Sequence, residues 1–305
     1  ETSGLFVPVV VPWEIEISED LAPLLRDGDG EPLRTRAEEL RTLLFAELGV
    51  PLPSPRLRLR ADLPPHHARI VLFEVPFRTL QVPRDEADPS SFLADHALGV
   101  LRARAADFLG LAETQRLLDE LEQVSAAVVR SVVPKPISLT LLTDVLRRLV
   151  EERVGVRDLR GVLEALALVG ATEKDPLTLT EHVRAQLRRP ITFRLTAGAS
   201  TLAVYLLDPM IEDTIRRAVT RTANGAFLTL PPASARDVVA SITRAFGEAA
   251  PPPGAPRVVL TQPDIRRFVR KLIDTDLPDT EVVSFAELLP EVNLRPLARA
   301  NLVGL

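Results

Sequence analysis

Residues 141–191 read LLTDVLRRLVEERVGVRDLRGVLEALALVGATEKDPLTLTEHVRAQLRRPI. Leu142, Val145, Leu146, Leu149 and Val150 recur at intervals of three and four, the spacing that lays apolar side chains along one side of an α-helix. Gly155 is placed to close that helix, and Leu159, Val162, Leu163 and Leu166 begin a second. Asp175 stands where a side-chain oxygen accepts the first free amide hydrogens of a helix, and Pro176 suits the first helical position. Leu179, Val183 and Leu187 then repeat every four residues. The stretch predicts three short helices packed as one unit.

Upstream, Pro134 and Pro136 break the chain. Residues 92–133 carry a helical pattern through Leu98, Leu101, Ala105 and Phe108, then Leu117, Leu118 and Leu121, with Gly110 dividing it in two. Residues 82–91 (VPRDEADPSS) have no period and read as a linker or shortened loop. Residues 69–78 (RIVLFEVPFR) form an apolar, β-branched run that predicts a strand. Leu33, Ala37, Leu40, Leu44 and Leu48 predict a helix that Gly49 terminates, with a turn before it at Asp27-Gly28-Asp29-Gly30 and a first strand at 5–13 (LFVPVVVPW). Downstream of the helical unit, strands are predicted at 191–196, 202–207, 226–230, 257–260 and 281–285, with helices at 210–219, 233–246 and 264–273. Strands interleaved with helices on both sides of a helical unit give an α+β chain of several subdomains.

At 305 residues and 46% apolar side chains the chain can bury more than one core. The net charge of −5 is spread without an acidic or basic tail, so nothing favours long-range attraction to nucleic acid or an anionic membrane. There is no cysteine, hence no disulfide, thiolate metal site or cysteine nucleophile. The stretch Leu5 to Trp13 is far shorter than the roughly 20 residues of a spanning helix. It also lacks a basic leader and a cleavage site. Glu1 in first place points to a fragment or a processed chain.

Little in the sequence suggests catalysis. The phosphate-cradling patterns GxxxxGK[ST] and GxGxxG are absent. The four histidines, His66, His67, His96 and His182, include no HExxH set. His66 and His67 read as a solvated loop pair, and His182 as a partly buried structural residue beside an apolar helix stripe. Ser200 lacks the second glycine of a nucleophile elbow and reads as a turn between strands. Asp27, Asp29 and Glu31 echo a calcium loop, but Pro32 takes the place of its glycine. No cofactor or metal is expected, and without a convergent acid, base and nucleophile the chain is not read as an enzyme.

Arg147, Arg148, Arg153, Arg157 and Arg160 cluster on two consecutive helices, the outline of a helix-turn-helix. Between Leu141 and Thr192, however, nine Arg or Lys face eight Asp or Glu, and Asp144 with Arg148 and Arg147 with Glu151 fall four apart. Such pairs each support a helix by roughly 0.2–0.5 kcal/mol. DNA binding requires excess positive charge to displace counterions. A solvated face or a charged protein interface fits better, with a winged-helix-like nucleic-acid-binding regulator as the alternative.

The same residues 141–191 resemble the signature of the type III export-gate proteins, the FHIPEP family shared by flagella and injectisomes. The likeness is carried by LRRLVEERVGVRDLRGVLEALA and EKDP..LTEHVR, and extends to GLAETQRLLDELE (110–122), IEDTIRRAV (211–219), FLTLPP (227–232) and DIRRFVRKLI..DLPDTEVVSFAEL (264–288). Val283-Ser284-Phe285 is more similar to the injectisome branch. The resemblance implies the cytoplasmic part of an inner-membrane protein, on the cytoplasmic face of the bacterial inner membrane, whose membrane half is missing here. It implies a first subdomain at 1–122, a winged-helix-like third subdomain at 123–191 and an α/β sandwich-type fourth subdomain at 192–305. Residues 82–91 stand where the family inserts its second subdomain.

By that resemblance the third subdomain holds a homo-nonameric ring, which makes Arg147, Arg148, Glu151, Glu152, Arg153, Arg157, Asp158 and Arg160 candidate contacts between protomers. Partners implied are export chaperone–substrate complexes, a gatekeeper and the ATPase stalk protein, with no nucleic acid. The family docks chaperone–substrate complexes between its first two subdomains. Phe73, Val75 and Phe77 either line what remains of that cleft or belong to the core.

Overall fold

The computed structural model describes residues 9–26, 32–223 and 225–302. It divides into two compact units, Glu1–Asp119 with Gly155–Asp158, and Glu120–Val154 with Leu159–Leu305. The expected strand at 5–13 lies partly outside the described residues, as does the turn at 27–30 together with Asp27, Asp29 and Glu31.

In the first unit a four-stranded sheet is built from β1 (Trp13–Ile17), β2 (Arg56–Leu59), β3 (His67–Leu72) and β4 (Val75–Gln81), in the order β2-β1-β3-β4. The first strand starts after Pro12, where the expected strand ended. A proline offers no amide to the ladder, and the period-two run WEIEI begins only there. Trp13, Ile15 and Ile17 are buried on one face, and the Trp13 indole donates to the Pro53 carbonyl at 2.8 Å. Glu14 and Glu16 take the other face. In register they stand opposite Arg56 and Arg58 of the parallel β2, and Glu16 opposite Arg69 of the antiparallel β3. Arg56 Nη2 donates to Glu14 at 2.6 Å and Arg69 Nε to Glu16 at 2.7 Å, so two carboxylates inside a sheet are covered by cross-strand cations.

The single strand expected at 69–78 is a hairpin. Leu72 pairs with Val75 across a two-residue turn, and Phe73 and Glu74 both have left-handed backbones, φ +50° and +64°. That turn type usually announces itself with Asn or Gly, and neither is present. Helix α1 (Pro32–Leu48) buries Leu33, Ala37, Leu40, Leu44 and Leu48 and packs on α2 (Pro89–Ala103). Asp88 caps α2, accepting from Ser91 N at 3.0 Å, so the helix begins inside the residues read as linker.

Helix α3 (Leu111–Val132) is interrupted at Ser125, whose φ −145° and ψ 47° are not helical. In the second unit α4 (Leu139–Glu151), α5 (Leu159–Val169) and α6 (Pro176–Gln186) are the three helices the apolar spacing predicts. Asp175 accepts from Thr178 N at 3.1 Å as the cap of α6. The end of α4 differs from expectation: the left-handed residue is Arg153, φ +59°, with Val154 N donating back to Leu149 O at 2.8 Å. Gly155 serves proximity instead, since a Cβ there would lie 2.6 Å from the Glu47 carbonyl oxygen.

Residues expected as a strand at 191–196 form helix α7 (Arg188–Thr196). Its buried side chains, Ile191, Thr192 and Leu195, follow a helical and not an alternating spacing. Beyond it, β5 (Thr201–Leu207), β8 (Arg257–Thr261), β9 (Thr280–Ser284) and β10 (Asn293–Ala300) form a parallel sheet in the order β10-β5-β8-β9. Its helices are α8 (Pro209–Arg217), α9 (Pro232–Glu248) and α10 (Arg266–Ile273), and β6 (Val219–Thr222) and β7 (Gly225–Leu228) make a separate hairpin. Tyr205, Ile211, Ile215, Val238, Ile242, Val259, Val269 and Val282 build the core. Strand β10, absent from the sequence reading, carries Pro296 and a register shift, both tolerated at a sheet edge. The fold is α+β.

Candidate functional site

The charged residues of α4, α5 and their connection differ in exposure. Glu151, Arg153, Arg157, Asp158 and Arg160 are exposed, while Arg147 and Arg148 are half-buried. Arg148 Nε lies 3.0 Å from Asp144, the expected pair one turn back, and Arg160 closes on Glu164 at 2.9 Å. Arg153 reaches toward Asp279 at 3.5 Å. Glu152 is the exception, because it turns into the protomer and is occupied there.

Arg184 on α6 and Arg266 at the start of α10 are each 1% exposed. Arg266 Nη1 donates to Glu152 at 2.6 Å and its Nε to Glu181 at 2.7 Å, and Nη1 also reaches the Val282 carbonyl at 3.1 Å. Arg184 pairs with Glu287 and lies 3.3 Å from Glu152. The other Glu287 oxygen accepts from Ser284 N at 2.5 Å, completing a capping box after β9. Two buried guanidiniums, the buried Glu287 and the half-buried Glu152 and Glu181 thus satisfy one another. Glu152, one of the candidate inter-protomer contacts, is engaged within the protomer while its side chain keeps 21% exposure.

Burial alone would raise the Glu152 carboxyl, but the charges of Arg184 and Arg266, with the hydrogen bond from Arg266, outweigh it and hold the group at about 2. A carboxylate depressed in the folded state stabilises fully above its unfolded value, near 4.3. That stability disappears as pH falls from there toward 2. Denaturant titrations at pH 7 and pH 3 are expected to differ by about 1.5–2 kcal/mol through this group. In Glu152→Gln this part of the pH dependence should vanish.

The sequence reading missed these residues, although a signal existed. Thr180, Val183, Arg184 and Leu187 are all buried at i, i+3, i+4 and i+7, and Arg266, Val269 and Ile273 repeat the pattern on α10. An arginine in an apolar stripe marks a buried, paired cation.

Of the docking candidates, Phe73 is half-buried at the hairpin turn, its ring 5.3 Å from that of Phe108. Val75 and Phe77, on the edge strand β4, are 65% and 49% exposed and are not core. The histidines also differ from expectation. His182 is exposed, His67 opens β3, and His66 sits 3.5 Å from Asp20. Ser200 lies between α7 and β5, not between two strands. Among the described residues no cluster of three or more His, Asp or Glu could hold a metal ion, and no helix is long and apolar enough to cross a membrane.

The model of the FHIPEP family matches residues 84–293. Protein HrpC2 of Xanthomonas euvesicatoria is 36% identical over 288 residues, which cover 94% of this chain and 43% of that protein. The chain therefore spans less than half the length of this curated relative. The flagellar biosynthesis protein FlhA of Bacillus subtilis is 26% identical over 331 residues, 94% of this chain and 49% of that protein. Among solved structures, the Chlamydia pneumoniae CdsV protein aligns over 98% of this chain and 100% of its own, with TM-score 0.90 and 28% identity. CdsV in complex with CdsO aligns over 97% and 99%, with TM-score 0.88 and 29% identity. The nonameric SctV-C of EPEC, at 24% identity and TM-score 0.84 over 97% of this chain and 100% of that one, shares the fold. The family match spans most of the chain and takes in the α4–α6 unit, α10 and β9, and so this chain belongs to the FHIPEP family, nearer its injectisome members than its flagellar ones.

Proposed function

We propose that this chain is the cytoplasmic, ring-forming part of a type III secretion export gate, acting at the cytoplasmic face of the bacterial inner membrane as a docking and assembly module without chemistry of its own. The observation that carries this reading is the end-to-end likeness to CdsV at TM-score 0.90. Identical copies close head to tail, which requires two different patches on each protomer. Arg147, Arg148, Glu151, Glu152, Arg153, Arg157, Asp158 and Arg160 are the candidate charged contacts between protomers. In this reading residues 1–122, 123–191 and 192–305 are the first, third and fourth subdomains, and 82–91 replace a reduced second. The ring receives chaperone–substrate complexes, a gatekeeper and the ATPase stalk. The exposed edge at Val75 and Phe77 is the remaining docking element for the first of these, and the existence of a CdsV–CdsO complex supports docking of a further protein.

Arg157→Glu tests the ring. Its side chain is exposed, so thermal unfolding should be unchanged while ring particles of a membrane-anchored fusion fall at least tenfold in electron micrographs. Wild-type material that stays monomeric at high concentration and forms no rings on the anchored fusion would refute the assembly reading.

A further inference from the structure

A cleft of about 520 Å³ opens in the second unit between the end of α4, the start of α6, the β6–β7 hairpin and α10. A second lobe of about 340 Å³ shares Glu181, Ala226, Arg267 and Phe268 with it and continues past His182 to Ser284. Through these shared residues the two lobes run together as one groove. Its bed is fixed, because Arg266 is clamped between Glu152 and Glu181 beneath it. A rigid bed lowers the ordering cost of binding.

Two properties describe what would fit. The first is an aromatic anchor: Phe227 is 51% exposed on β7, and Leu177, Leu228 and Phe268 line the same lobe. Half-exposed aromatic side chains beside apolar walls are the usual centre of a protein contact. The second is a charge imbalance. Arg148 Nε and Arg267 Nη1 are both buried and donate to no protein acceptor, although Asp144 and Asp175 lie at 3.0 and 3.5 Å. Lys271 is exposed and has neither a hydrogen bond nor an ion pair among the described residues. Arg270, by contrast, is saturated by Asp274 and the Thr280 carbonyl. Arg148 Nη2 does donate to Asp144 at 3.5 Å and Arg267 stacks on Phe268, so each has one spare N–H beside the unpaired Lys271. Among the described residues lining the cleft Glu151 is the carboxylate without a hydrogen-bond partner, Glu152 and Glu181 being committed to Arg266. Buried N–H donors left without acceptors favour a ligand that brings them.

We propose that this groove binds an acidic peptide segment of a partner protein, with carboxylates set against Arg148, Arg267 and Lys271 and an apolar side chain seated against Phe227. This goes beyond the ring reading and does not depend on it, since the test measures neither ring formation nor secretion. Displayed random heptapeptides are selected on the immobilised chain, and an enriched sequence is titrated as a fluorescein-labelled peptide by anisotropy. Enriched sequences should combine Asp or Glu with Leu, Ile or Phe. Lys271→Glu and Phe227→Asp should each weaken binding at least tenfold with unchanged thermal unfolding, while Phe193→Asp, on α7 and outside the groove lining, should change it less than twofold. Raising salt to about 0.5 M should weaken it as well, through screening of the exposed charge. The proposal is overturned if no peptide is enriched, if enriched peptides are basic, or if both groove variants bind unchanged. It is equally lost if Phe227→Asp abolishes self-association in sedimentation, which would assign the groove to a second copy of the chain.

Discussion

Arg266→Met is expected to lower the unfolding free energy by about 3–5 kcal/mol, the usual cost of taking one partner out of a buried ion cluster. Methionine fills similar space, so the loss is mainly electrostatic. Glu152, Glu181 and Glu287 would remain, with Arg184 still paired to Glu152 and Glu287. Two further results separate this cause from simple packing. At pH 3 the deficit should shrink, because the orphaned carboxylates take up protons instead of staying charged. Adding Glu152→Gln and Glu181→Gln to Arg266→Met should recover at least half of the loss, since no unpaired charge is then left inside. Urea titration followed by circular dichroism measures all three. A loss under about 1 kcal/mol would mean that water reaches the cluster and that it behaves as a surface pair.

The second large effect belongs to the first unit. Gly49 ends α1 with φ +73°, and a Cβ added there would lie 2.5 Å from Arg157 N and 2.8 Å from Arg157 Cα. These are backbone atoms, so no side-chain rotation relieves the clash. They are also held in place, because Val156 N donates to Leu48 O at 2.9 Å. Gly49→Ala is expected to cost about 2–5 kcal/mol, of which about 1–2 come from the left-handed backbone and about 1–3 from overpacking. Amide exchange at Val156 should accelerate in step with the lost stability. Gly99→Ala is the matched control. Gly99 lies inside α2 with nothing within 4 Å of its would-be Cβ, and alanine there should be neutral or stabilise by up to about 1 kcal/mol. Equal effects at the two glycines would remove the close-approach argument.

Much of the fold can be read locally. The stripe Leu142, Val145, Leu146 and Leu149, the cap at Asp175 with Pro176 after it, and the break at Pro134 and Pro136 each act within a few residues of themselves, and each is where the structure has it. The α1 stripe and its terminator Gly49 belong with them. The failures in the first sheet share one property. The WEIEI and RLRLR runs alternate with opposite charges, yet neither reads as a strand alone, because carboxylates and guanidiniums count as surface groups until a facing strand neutralises them. The hairpin at Phe73 and Glu74 hides for a related reason: residues without a turn signature are forced left-handed by the pairing on either side.

The candidate site divides in the same way. The sequence by itself determined the family, the helices α4 to α6, and which arginines and glutamates sit on the α4–α5 segment, since these follow from residue identity and short-range period. Only the tertiary structure decided which of those charges are available. Glu152 meets Arg266 from 114 positions away, and Arg184 meets Glu287 from 103. Whether a charged side chain stays in water or is buried depends on whether a counter-charge waits where it would be desolvated. Partners so distant along the chain are brought together by packing alone, and no local pattern specifies them.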